Sequence, residues 1–265
     1  MHRLFIIFLA SLGLIVVACG GGDSLGGFPV GNLTDDEAIR QMDEEGTRLS
    51  EEGDYNAIYQ FIEPAYREAC ASDRFVRMGR LGDALDSIMR SHERDGEIVS
   101  IEVEGDRAVV TSLDYSPARD ELDEETDEAV KIDGRWFIAA DVEGIEACNS
   151  DMFAEDASTD AAVSVFRFGL LLPAADGDGA SAIEALFEKT FSEGFKRACP
   201  YSASGQTIPN ASDRFRSTFE DPFGWNFQVA PKYVWITSGL EPVATLVFEA
   251  DVWKLDSLAG LEECA

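Results

Sequence analysis

Few residues in this chain of 265 can do chemistry, although acids abound, with 51 Asp and Glu against 21 Lys and Arg. Of two histidines, His2 lies in an apolar leader and His92 stands alone in RSHERDG, where a charge at a helix C-terminus suits it better than catalysis. YSASG (Tyr201–Gly205) lacks the first glycine of a nucleophile elbow and has no histidine to complete a triad. DGDG (Asp176–Gly179) begins like a calcium loop, but Ala180 and Phe187 occupy the fifth and twelfth positions, so a turn between helices fits better. There is no phosphate loop, dinucleotide fingerprint or zinc-like cysteine pair, so no metal and no cofactor is expected. No catalytic set emerges. A neutralised Asp or Glu inside an aromatic pocket would still serve as a base, but the carboxylates are too numerous to single one out.

The start of the chain is more specific. MHRLFIIFLASLGLIVVACGGG sets Arg3 before an apolar stretch from Leu4 to Val17, then Ala18 and Cys19. This is the layout of an export signal, too short for a comfortable membrane span. Val16-Val17-Ala18-Cys19 also resembles the lipobox of bacterial lipoprotein precursors. The resemblance implies a signal peptide over 1–18, cleavage before Cys19, and lipid attachment to Cys19 with fatty acyl chains such as palmitate. Residues 19–33 would then be a Gly-rich tether holding the protein outside the cytoplasm, at the cell membrane or outer membrane. An ordinary secretory signal with a cysteine near its end is the alternative.

Without residues 1–18 the chain carries 20 basic and 51 acidic residues, a formal charge of −31. Such a surface repels phosphate backbones, which excludes nucleic acid as a natural partner. The run DELDEETDE (Asp120–Glu128) reads as a solvated loop. With 45% hydrophobic and 10% aromatic residues, the remainder can build sizeable cores, and its length suits two domains, over 34–150 and 151–265.

In the first half, Thr34-Asp35-Asp36-Glu37 predicts a capped helix to about Glu52, and a second helix runs from Asp54 toward Ala69 with a kink or boundary at Pro64. A short helix through Leu81 and another from Gly82 follow. Alternation then predicts strands from Glu97, with turns at Gly105-Asp106 and Asp133-Gly134. In the second half, helices are expected over about Thr159–Leu172 and Ala182–Ala198, separated by ADGDG, with strands at Lys232–Thr237 and Val243–Glu249. ASDRF occurs at Ala71–Phe75 and again at Ala211–Phe215, each time after a helix-ending cysteine and before a Trp-to-Cys segment. This order suggests a duplication with a degenerate second copy. With Cys19 committed to lipid, four cysteines permit three pairings, and the register favours Cys70–Cys148 and Cys199–Cys264, one disulfide per copy. Free thiols and bridges between halves are the alternatives.

EEGDYNAIYQFI (Glu51–Ile62), the S-x-x-F start at Ser72–Phe75, VEGDRAVVT (Val103–Thr111) and KIDGRWFI (Lys131–Ile138) together resemble the nuclear transport factor 2-like superfamily. The resemblance implies an α+β fold of tandem cone-like domains, helices packed on a curved antiparallel sheet. It implies a cone mouth or pocket where Tyr55, Tyr59 and Trp136 contact a ligand. Arg74, Arg77 and Arg80, at intervals of three, would frame an anionic ligand or, more commonly, pair with neighbouring acids; Arg214 and Arg216 hold the similar place in the second half. The functional expectation is a non-catalytic, membrane-anchored protein binding a small apolar ligand or an envelope protein. The alternative is an isomerase or dehydratase using a buried carboxylate, because fold alone does not choose between them.

Overall fold

The Glu37 amide donates to the Thr34 hydroxyl at 3.3 Å, and the Thr34 amide donates to the Glu37 carboxylate at 2.8 Å. This reciprocal cap starts helix α1, Asp35–Glu51. The computed structural model describes residues 26–87, 96–116, 121–140, 142–178, 180–201 and 222–259. They form two compact units, one over 26–82 and 96–148, the other over 83–87 and 149–259.

In the first unit the helix expected from Asp54 is broken at the boundary expected near Pro64. Helix α2 (Tyr55–Ile58) passes into a 3₁₀ turn at Tyr59–Phe61, Ile62 is extended, and α3 (Pro64–Ala69) begins afresh. Proline explains the break: it has no N–H to donate and it forces the preceding Glu63 out of helical geometry, to ψ 151°. The extended Ile62 makes a parallel bridge to Ile138, and the Glu63 amide donates to the Ile138 carbonyl at 3.0 Å. Helix α4 runs unbroken over Ser72–Asp86, where two short helices were expected. It passes close over Tyr55 because of Gly79, where an added Cβ would lie 2.2 Å from a ring carbon.

Strands β1 (Phe28–Pro29), β2 (Ile98–Glu104), β3 (Arg107–Ser116), β4 (Glu121–Ile132) and β5 (Arg135–Ile138) form an antiparallel sheet in the order β1-β5-β4-β3-β2. Asp133 and Gly134 close the last hairpin with φ of 51° and 73°, the left-handed pair a tight hairpin turn needs. The acidic run expected as a loop is instead most of β4, paired along β3 from Ser116↔Glu121 to Arg107↔Val130. Asp123, Glu124, Glu125, Asp127 and Glu128 fall on both faces of the strand and none of them is buried, so both faces are open to solvent along this stretch and an acidic sequence is compatible with pairing. Helix α5 (Val142–Cys148) ends the unit, so Cys148 sits at a helix end and not at a strand end. Cys70 and Cys148 are joined, with Cα atoms 5.9 Å apart, and both are fully buried.

In the second unit, α6 (Asp156–Asp178) extends into the break expected at ADGDG, and α7 (Ala180–Thr190) and α8 (Glu193–Ala198) divide what was expected as one helix. The division falls where Phe191 bridges Leu255 and the Ser192 amide donates to the Leu255 carbonyl at 2.8 Å. Ser192 then caps α8, accepting from the Phe195 amide at 2.9 Å. Strands β6 (Trp225–Ala230), β7 (Tyr233–Ser238), β8 (Glu241–Glu249) and β9 (Val252–Leu258) pair in simple sequence order.

Three expectations are corrected. Neither sheet is curled or closed, so there is no cone; both are flat, open sheets. The two halves are not copies of one cone domain: among the described residues one sheet has five strands, with the N-terminal β1 added at its edge, and the other has four. One disulfide per copy becomes one bridge with both its cysteines among the described residues, and it is the expected Cys70–Cys148 pair. Cys199 is buried and disulfide-bonded, and Cys264 lies outside the described residues. The second ASDRF also lies outside them.

Gly79→Ala should lower stability by about 1–3 kcal/mol, because the methyl group has no room against Tyr55; a chemical-denaturation midpoint equal to wild type would refute this contact. Replacing Cys70 and Cys148 together by Ser opens a loop of 78 residues and should cost about 4 kcal/mol, read from the same denaturation curves.

Candidate functional site

The aromatic residues expected to line a pocket are core residues. Tyr55 and Tyr59 pack with Leu49, Ile58, Tyr66, Phe75 and the disulfide, whereas Trp136 packs with Ala38, Ile39, Met42, Ala108 and Ala129. The three are therefore not brought into one buried cluster. The Tyr59 hydroxyl lies 2.5 Å from the Cys70 carbonyl and 3.0 Å from that of Arg67, and burial pushes its phenol above the ordinary range. Trp136 is wholly buried and its indole N–H donates to Asp35 Oδ1 at 3.0 Å, an atom that also accepts from Lys131 Nζ at 2.7 Å. The Lys131 hydrogen bond outweighs desolvation and, aided by the indole, holds the Asp35 carboxyl below its usual range. The acid beside Trp136 is thus ionised, the opposite of the neutral acid that an aromatic acid-base pocket requires.

The arginines at intervals of three are also engaged. Arg74 Nη1 donates to the Cys148 carbonyl at 3.2 Å, tying α4 to the disulfide, and Arg77 pairs with Asp73 at 2.9 Å. Arg80 is exposed and has partners of its own. Cys19, His92, Arg214 and Arg216 lie outside the described residues.

Two features escaped the sequence reading. Asp43 stands four residues after Ile39 and next to Met42, at the margin of the buried stripe of α1, so helical periodicity carried a signal for it. Burial, reinforced by Glu44 and Asp127 and only partly offset by Arg40, pushes its carboxyl up to about 6. In the second unit, the Ser192 hydroxyl donates to Asp256 while capping α8, joining the helix start to β9. Asp256 carried no periodic signal, because β9 is irregular against β8 between Thr245 and Leu246.

Helices backed on open antiparallel sheets in two units place the protein in the α+β class. No family model, curated protein or solved structure matches the chain. This overturns the resemblance to the nuclear transport factor 2-like superfamily and to a tandem duplication of it, and no match supports membership of a lipobox precursor family. The motifs behind them are caps, hairpin turns and an apolar leader, which recur wherever the same local need arises.

Asp43 makes a prediction with a definite sign. Its carboxyl titrates near 6 in the folded protein and near 3.8 when unperturbed, so the native state holds a proton that the unfolded chain has released between these values. Its contribution to stability therefore falls as pH rises through that window and stays lowered above it. Asp43→Asn should flatten the stability profile there and raise stability at neutral pH by about 1–3 kcal/mol. Parallel wild-type and variant profiles in urea titrations at successive pH values would show that the carboxyl is not buried in this way.

Proposed function

We propose that the protein is exported, held at a membrane through Cys19, and acts outside the cytoplasm as a binding protein without catalysing a reaction. The observation that carries this reading is the buried Cys70–Cys148 disulfide, a bond that forms and persists in an oxidising compartment. It agrees with the apolar leader from Leu4 to Val17 that ends at Cys19. The reading rests on these residues and on no family. The charge of −31 outside the leader keeps anionic polymers away, leaving uncharged or cationic ligands and proteins as partners. Binding without catalysis is supported by the use of Tyr55, Tyr59 and Trp136 in packing and by the ionised state of Asp35.

One observation favours a second reading, a proton-transfer enzyme with a buried carboxylate: Asp43 is held largely neutral up to about pH 6. Burial is the main cause of that shift, and the charged groups that add to it, Glu44 and Asp127, are further carboxylates.

Cells expressing the chain with a clickable palmitate analogue should label it, and Cys19→Ser should abolish the label while leaving the protein exported. Continued labelling of the variant, or a reduced Cys70 in the protein taken from cells under thiol-trapping conditions, would overturn this reading.

A further inference from the structure

The helices of the second unit pack on one face of its sheet, burying Val234, Ile236, Leu246 and Leu255. The opposite face is defined by the strand register. One row across the strands reads Gln228↔Trp235↔Thr245↔Ser257, and the next reads Ala230↔Tyr233↔Val247↔Lys254. Partners in a row point to the same side of a sheet. Tyr233 and Trp235 remain 41% and 40% exposed, enough to offer their ring faces, and their rings lie near parallel with centroids 5.8 Å apart. Val247 is buried on this side, forming a floor beside Tyr233.

The charge of these two rows is the second observation. In a chain with 51 acids, the eight positions of the two rows hold no Asp or Glu. Their one cation, Lys254, donates to the Lys189 carbonyl at the sheet edge. What surrounds the indole is an amide on one side and hydroxyls on the other, groups that both donate and accept.

We infer that this face binds an uncharged saccharide chain, with Trp235 and Tyr233 as the stacking platform and Gln228, Thr245 and Ser257 meeting hydroxyl groups. A pyranose ring has an apolar C–H face and a rim of hydroxyls, and its complement is an aromatic face bordered by neutral donors and acceptors. An anionic polymer would be repelled by the chain as a whole, and a cationic partner would find no carboxylate in these rows. A flat, open strand surface suits an extended polymer better than a cavity would. This inference rests on the proposed binding function and names its ligand class.

The test uses the full chain extracted in detergent, titrated with cellohexaose, maltohexaose and N-acetylchitohexaose and followed by tryptophan fluorescence and calorimetry. At least one hexasaccharide should bind saturably, Trp235→Ala should weaken it about tenfold or more, and Trp235→Phe should recover part of the loss. Leu240→Ala, at a fully exposed turn in the same unit, should leave binding unchanged. Thermal unfolding of each variant confirms that the sheet is intact. No saturable binding to any of the three, or binding indifferent to Trp235→Ala in the folded variant, overturns the inference. So does a dimer that Trp235→Ala dissociates, since a second copy would then cover the face. Failure of the palmitate experiment would remove the anchor and leave these titrations standing, so the two ideas fail separately.

Discussion

The first unit depends on the junction around Cys70 and Cys148. The bond joins the end of α3 to the end of α5, and both carbonyls at the junction are occupied by side chains from other elements: Tyr59 reaches that of Cys70 and Arg74 that of Cys148. Phe75 packs against both Tyr59 and Tyr66, with centroids 5.4 and 6.2 Å away, so aromatic packing surrounds the sulfurs. A chain with this much negative charge gains little from its surface. Its stability must come from such dry, fully satisfied regions, where hydrogen bonds are not exchanged with water.

The second unit reaches the same end with aromatics. Phe187, Phe191 and Phe195 follow one another at helical spacing, the adjacent pairs stacked with centroids 4.9 and 4.7 Å apart, and Phe168 meets Phe191 edge-on. Spending these rings on the inner side of the sheet leaves the outer side to Tyr233 and Trp235, which have no helix of the described residues over them. Large aromatic faces left in water on a regular strand surface are a frequent mark of recognition, which distinguishes them from the packed tyrosines of the first unit.

Much of the local structure was legible. The Thr34 cap, the Asp133-Gly134 hairpin and the boundary at Pro64 each follow from the chemistry of a few adjacent residues. The strand β4 is not legible from its charge, because pairing with β3 governs there: a strand whose two faces are both open to solvent can be acidic at consecutive positions. The division at Ser192 was equally hidden, since it arises from a bridge to Leu255, distant in sequence. Tyr55, Tyr59 and Trp136, expected to contact a ligand, are buried in two separate core clusters. Helical spacing reports which side of a helix is apolar, and says nothing of whether the space opposite is filled.

Composition and short-range pattern were sufficient for the charge, the α+β class and the apolar leader, because these are sums or local preferences that need no partner. The flatness of the sheets, the placing of Tyr59 and Trp136 in separate clusters, the neutral state favoured at Asp43 and the bare aromatic face of the second unit all came from packing. Each depends on what lies across a gap between elements remote in sequence, and burial, desolvation and exposure have no value until that neighbour is in place.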